Sequence, residues 1–332
     1  MSFQTIYGHE KQISLLLSAL GQNRIPHAYL FSGMTGVGKR TIALALAKRI
    51  NCTGEATPFD ACNRCPSCLK VDHKNHPDIT FLEPEGQFIR IKAIRDLQAQ
   101  MQYSPLEGKY RVIIIDDADK MNITSANALL KTLEEPAPGN LLILITGNPH
   151  GLPRTILSRC QQIRFFPLNR EDIVSYLGKH HSWKETDAAM IAGASGGSLA
   201  KAIEMVKGGY KTFRDRTLDD LMAIHDNKLL KLLSFTADFG KDREDITQKL
   251  DVIRSCYRDA LVYRETGSEA SLINRDRMDV IAALSRRFDG QDLLGHLRAV
   301  GSALQAIDQN ANKALTLEAM MFKLAHQQRQ EA

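Results

Sequence analysis

The segment Ala28-Tyr-Leu-Phe-Ser-Gly-Met-Thr-Gly-Val-Gly-Lys-Arg-Thr41 constrains the fold more than any other stretch of this 332-residue chain. Four apolar residues read as a buried strand. Gly33-x-x-x-x-Gly38-Lys39 reads as a phosphate-binding turn, and Ile42, Ala45, Leu46 and Arg49 follow at helical spacing. In such a turn Gly33, Gly36 and Gly38 let backbone N–H groups converge on phosphate oxygens. The helix end adds its positive dipole and Lys39 a point charge. A strand that leads straight into such a helix needs parallel neighbours, which predicts a layered α/β domain. The last position of the pattern should carry a hydroxyl for Mg²⁺. Arg40 stands there instead, with Thr41 one place too late. A guanidinium cannot ligate a cation, so nucleotide is expected to bind loosely or not at all, and ordinary Mg²⁺-dependent hydrolysis is not expected.

Alternation continues through the first half. Ala28–Phe31, Ile79–Leu82, Val112–Ile115, Leu142–Thr146 and Gln162–Phe166 are candidate strands, with helices near 10–20, 39–51, 91–101 and 125–135. In the last of these Ala126, Leu129, Leu130 and Leu133 form one apolar face, Thr124 or Ser125 can cap the start and Pro136 stops it. Val112-Ile-Ile-Ile-Asp116-Asp117 reads as a strand ending in two acids, where the first would orient Mg²⁺-bound water and the second polarise the attacking water. Strand-ending acids also simply cap the next element. After Pro167 the pattern becomes helical, broken at Ala194-Ser-Gly-Gly-Ser198 and Lys207-Gly-Gly-Tyr210.

Four of six cysteines form Cys52-x₉-Cys62-x₂-Cys65-x₂-Cys68. Tetrahedral Zn²⁺ held by four thiolates explains this spacing better than disulfides, and with no position left for water the site is structural. An iron–sulfur cluster can use similar spacing, and His73 or His76 lies near enough to replace a cysteine. Cys256, within a helical stretch, reads as a packed thiol.

Charge excludes little. Residues 1–167 hold 19 Lys+Arg against 14 Asp+Glu, and residues 168–332 hold 24 of each, a bias too small to establish a nucleic-acid partner. No apolar run approaches the roughly 18 residues of a membrane helix. The first residues show no basic segment followed by an apolar one, which predicts a cytoplasmic chain.

Together, Arg24-Ile-Pro-His-Ala-Tyr-Leu-Phe-Ser-Gly33, the phosphate loop, the four-cysteine insertion, Asp116-Asp-Ala-Asp119, Asn127-Ala-Leu-Leu-Lys-Thr-Leu-Glu-Glu-Pro136, Ser158-Arg159-Cys160 and Asn312-Lys-Ala-Leu-Thr-Leu-Glu318 resemble bacterial DNA polymerase III clamp-loader subunits. The resemblance spans essentially the whole chain. It implies an AAA+ P-loop domain with a parallel sheet over 1–167, carrying the zinc module at 52–68. A small helical lid over 168–208 and an all-α collar over 209–332 follow. It further implies that Arg159 acts in trans as an arginine finger on a neighbouring subunit's nucleotide, having little to do within its own; a structural salt bridge to a carboxylate is the alternative. The implied partners are the motor (gamma/tau) and delta subunits, the sliding clamp and primed DNA, with no membrane.

Three departures favour the non-hydrolysing subunit over the motor subunit, which remains the alternative. They are Arg40, Gly147 at the expected polar sensor position between Thr146 and Asn148, and Ala200 in place of a sensor arginine beside Lys201. Arg90, Lys92 and Arg95 are candidate contacts to DNA phosphates; a solvated basic face is the plainer reading.

Overall fold

The computed structural model describes residues 2–55, 57, 59–181, 183–226, 239–240 and 242–326. Parts of the expected collar, 227–238 and 327–332, lie outside the described residues. Two compact units are present, residues 1–172 with 197–201, and 173–196 with 202–332.

The first unit is built on five parallel strands: β1 (Ala28–Ser32), β2 (Ile79–Leu82), β3 (Arg111–Ile115), β4 (Asn140–Thr146) and β5 (Gln161–Arg164), in the order β2-β3-β4-β1-β5. β1, β3 and β4 are buried along their whole length, as expected where helices cover both faces of a sheet. Side-chain alternation divides the apolar residues into two layers. Phe31, Ile114, Ile143 and Ile145 pack with Ile42 and Leu46 of α2 (Lys39–Ile50) and Leu16 of α1 (Glu10–Gly21). Leu30, Ile113, Ile115, Leu142 and Leu144 pack on the other face with Leu129 and Leu133, and with Ile94 and Leu97. These belong to α5 (Ile123–Glu134) and α4 (Ile91–Met101); α3 (Pro66–Asp72) lies within the cysteine insertion.

The register pairs Ser32 with Thr146 and Ile115 with Leu144. β4 therefore separates the strand that feeds the glycine loop from the strand that delivers Asp116. The C-terminal edge of the sheet collects their side chains, the usual place for a ligand crevice in open α/β sheets.

The second unit is helical in all its regular elements among the described residues. It includes Glu185–Ala194, Tyr210–Asp226 and four C-terminal helices, Arg243–Thr266, Met278–Arg287, Gly290–Asp308 and Lys313–His326. Its polar anchors are deliberate pairings. The fully buried Arg214 guanidinium bonds Asp276 and Asp215. The buried Asp259 carboxylate accepts N–H bonds from Ile273 and Asn274. Cys256 is fully buried, and burial pushes its thiol well above the ordinary range.

Candidate functional site

The glycine loop adopts the conformation its composition demands. Gly33 has φ 147°, and a Cβ there would lie 2.2 Å from the Phe165 carbonyl oxygen. Gly36 has φ 81°, and a Cβ would lie 2.2 Å from Ser198 Oγ. Only glycine fits both positions. The loop is propped from behind by His9, whose Nε2 lies 2.9 Å from the Val37 carbonyl and whose ring meets Phe165 edge-on.

Three groups of contacts hold this loop, made by Lys39, by Ser198 with Ala200, and by Arg40. Lys39 Nζ, nearly fully buried, donates to the Gly33 and Met34 carbonyls at 2.6 and 2.8 Å. Burial lowers its pKa, while Asp116, Asp117 and Asp119 pull it upward. Ser198 Oγ donates to the Thr35 carbonyl at 3.1 Å, and the Ala200 N–H donates to the Gly36 carbonyl at 3.1 Å. Arg40 is the third. Its guanidinium bonds Glu83, lies 3.6 Å from Asp116 and stacks 5.1 Å from the Phe81 ring centre. A cation thus stands beside the strand-end carboxylate where Mg²⁺ would be needed. Burial and the neighbouring Asp117 raise the Asp116 carboxyl, against the Asp117 N–H bond and Arg40.

The other expected residues are placed as follows. Thr41 is exposed on α2 and brings no hydroxyl to Asp116. Asp117 has φ 46° and pairs with Lys120 at 2.7 Å. Thr146, fully buried, gives its hydroxyl to Asp119 and accepts the Asn148 N–H at 2.9 Å, so the polar group at this strand end is Thr146 rather than anything at Gly147. Lys201 is exposed.

The four cysteines form a second site. They are free thiols, and their sulfurs all lie within 4.8 Å of one another. Cys52 and Cys65 are 4.0 Å apart, Cys62 and Cys68 3.9 Å. A tetrahedron with metal–sulfur bonds of about 2.3 Å has edges of about 3.8 Å, so the donor set fits a four-coordinate ion. Backbone N–H groups already point at the sulfurs: Cys62 to Cys52 at 3.3 Å, Cys65 to Cys62 at 3.3 Å, and Cys68 to Cys65 at 3.4 Å. Burial pushes the Cys65 thiol up, but hydrogen bonds from Thr53 and Cys68 outweigh it and bring the value down to about 5. Cys68 moves the other way, raised by burial and by Cys65.

Neither histidine is a fifth candidate. His73 is exposed, and His76 is engaged elsewhere: Nδ1 accepts the Asp78 N–H and Nε2 lies 3.1 Å from Ser67 Oγ.

Arg159 follows α6 (Arg154–Leu157) and precedes β5. Contrary to the expectation that it has little to do within its own unit, it has a partner there. Nη2 lies 2.7 Å from Glu134 Oε1, and Nη1 donates to the Thr155 carbonyl at 3.0 Å. Its neighbour Cys160 is buried in the sheet core, which pushes that thiol up to about 12.

Residues 8–169 match the family described as DNA polymerase III, delta subunit, and residues 212–326 match DNA polymerase III, delta subunit, C terminal. The DNA polymerase III subunit delta' of Bacillus subtilis (strain 168) is 30% identical over 317 residues, covering 94% of both chains. The chain belongs to the clamp-loader subunit family of DNA polymerase III. Relatives named as tau or gamma subunits match this clamp-loader chain as well. The DNA polymerase III subunit tau of the same bacterium is 26% identical over 354 residues, and the match covers 99% of this chain but 62% of that protein. A gamma-subunit-related protein of Thermotoga maritima aligns in structure at 19% identity and TM-score 0.47, over 96% of this chain and 100% of that one.

In this clamp-loader subunit the three basic candidates sit together at one helix start. Arg90 is the N-cap residue of α4, and Lys92 and Arg95 lie in its first turns; all three are exposed. Positive charge at a helix N-terminus opposes the helix dipole, so the local helix gives no reason for it. Sequence reasoning missed Glu83, His9, Ser198 and Glu134. Each reaches its site from a different element, and spacing along the chain carries no signal for such pairs.

Proposed function

We propose that this chain is a delta-prime-type, non-hydrolysing subunit of the DNA polymerase III clamp loader. It assembles with motor (gamma/tau) and delta subunits to load the sliding clamp onto primed DNA in the cytoplasm. The observation that carries the reading is Arg40, held by Glu83, Asp116 and the Phe81 ring where a catalytic metal would have to bind. The self-bonded Lys39 supports it further.

In this role residues 168–208 act as a lid and 209–332 as the oligomerising collar. The closed set Cys52, Cys62, Cys65 and Cys68 holds one structural Zn²⁺, which fixes the insertion and takes no part in chemistry. Arg159 reaches an adjacent motor subunit's nucleotide. A planar, permanently charged guanidinium is suited to the charge that develops on a transferred γ-phosphoryl group. Arg90, Lys92 and Arg95 contribute sequence-independent, salt-sensitive contacts to DNA phosphates.

The motor reading keeps one specific support, the tau relative that matches 99% of this chain. Two measurements separate the readings. The isolated protein should show negligible steady-state ATPase; robust Mg²⁺-dependent turnover abolished by Lys39→Ala would replace the present reading with the motor one. In the reconstituted loader, Arg159→Ala should leave assembly intact and lower the DNA-stimulated ATPase about 10-fold or more. An assembled mutant complex with undiminished ATPase would remove the finger.

A further inference from the structure

Glu134 is placed where a helix does not favour it. It is the last residue of α5, followed by Glu135, so both carboxylates sit at the partly negative helix end. What compensates is Arg159, whose Nη2 lies 2.7 Å from Glu134 Oε1. The remaining contacts of the guanidinium are Nη1 to the Thr155 carbonyl at 3.0 Å and to Ser158 Oγ at 3.4 Å.

A guanidinium has five N–H donors. The two Nη1 donors go to Thr155 and Ser158, and Nη2 is held by Glu134 as an ion pair, so Nε–H has no protein acceptor among the described residues. The pair is also open to solvent: the Arg159 side chain is 35% exposed and that of Glu134 48%. Ion pairs this exposed add little to folding stability. Their geometric effect is larger, because three contacts from one carboxylate, one carbonyl and one hydroxyl restrict an otherwise mobile side chain to one orientation.

We propose that Glu134 is a positioning residue for Arg159. It holds the guanidinium by charge so that its remaining donors face outward toward the γ-phosphate of a nucleotide on the adjacent subunit. The proposal rests on the reading of Arg159 as a finger acting in trans. In that reaction water oxygen bonds to the γ-phosphorus as the bond to the bridging oxygen breaks, giving ADP and inorganic phosphate. Arg159 only donates hydrogen bonds, and Glu134 touches neither substrate nor water. A pre-ordered arginine need not be immobilised at each turnover, which is where the rate advantage arises.

The test uses the reconstituted loader with Glu134→Ala, Glu134→Gln, Arg159→Ala and the double variant, each checked for assembly by size-exclusion chromatography. Glu134→Ala should lower the neighbours' DNA-stimulated kcat roughly 3- to 10-fold with KM for ATP unchanged, less than the loss of the arginine itself. Glu134→Gln, which keeps the shape but removes the charge that pairs with Nη2, should recover only part of that rate. On the Arg159→Ala background, Glu134→Ala should have no further effect. Positioning is overturned if Arg159→Ala slows turnover while Glu134→Ala does not, or if Glu134→Ala costs the same factor with and without Arg159. Turnover unaffected by Arg159→Ala would instead overturn the finger itself, and the positioning role with it.

Discussion

Ser67→Ala should loosen the cysteine module without touching a cysteine. Ser67 lies in α3 beside Cys65 and Cys68, and its hydroxyl closes a buried relay. The Asp78 N–H donates to His76 Nδ1 at 3.1 Å, which leaves the ring proton on Nε2, facing Ser67 Oγ at 3.1 Å. The Ser67 hydroxyl then donates to the Asn51 carbonyl at 2.7 Å, one residue before Cys52. Ser67, His76 and Asn51 are 6%, 5% and 2% exposed, so water does not replace the lost oxygen. Alanine leaves one buried carbonyl and one buried imidazole N–H unpartnered, at about 1–3 kcal/mol each, or about 2–6 kcal/mol together before local relaxation. Because the relay anchors the backbone that carries Cys52, this cost should emerge as weaker metal binding, about 10-fold or more, the usual size for groups that orient a ligand shell. Chelator competition at pH 7.5 measures the affinity, and hydrogen exchange over residues 51–76 measures the anchoring. A variant with wild-type metal affinity and unchanged protection would refute the relay as the module's support.

The protein purified without chelators should contain one zinc per chain by elemental analysis; iron with visible absorbance, or no metal, would remove the zinc assignment. His296 is fully buried, with the Tyr257 and Phe288 rings 4.8 and 4.6 Å away, and burial holds its pKa down at about 4 against 6.5. The unfolded chain therefore takes up a proton that the folded one refuses, and stability is lost as pH falls from about 6.5 to about 4, by about 3 kcal/mol in all. Urea unfolding at pH 7.5 and 4.5 should show this loss in the wild type and a smaller one in His296→Met; equal losses would refute the attribution.

What could be read from sequence was whatever is encoded by neighbours in the chain. The glycine loop, the cores of β1, β3 and β4 and the cysteine spacing are all local signals, and each of these strands is present in the sheet. Ends were harder. Asn122, not Thr124 or Ser125, caps α5, its Oδ1 accepting the Ser125 N–H at 2.8 Å; all three are good cap residues, and only the apolar register separates them. β4 starts two residues early at Asn140, a buried polar residue whose amide nitrogen donates to the Met101 carbonyl at 3.0 Å and which is invisible to an apolar pattern. β5 stops at Arg164, leaving Phe166 exposed. The site partners were illegible for a stronger reason. Glu83 meets Arg40 across 43 residues and Ser198 meets Thr35 across 163, and only strand order and chain return bring them together.

The three closures of the nucleotide loop differ in what opening them would cost. Lys39 exchanges two carbonyl bonds for phosphate oxygens, close to an even trade that charge would favour. The contacts from Ser198 and Ala200 each involve one neutral hydrogen bond, worth about 1 kcal/mol. Arg40 is different in kind. Removing its guanidinium from Glu83 and Asp116 leaves two carboxylates facing each other with no cation between them, a state that like-charge repulsion opposes. The pocket's demand for positive charge is thus already met by a side chain that has no coordination sites to offer. The glycine conformations and the buried Lys39 thus keep the form of a phosphate loop, while Arg40 fixes a guanidinium beside the strand-end carboxylate of Asp116.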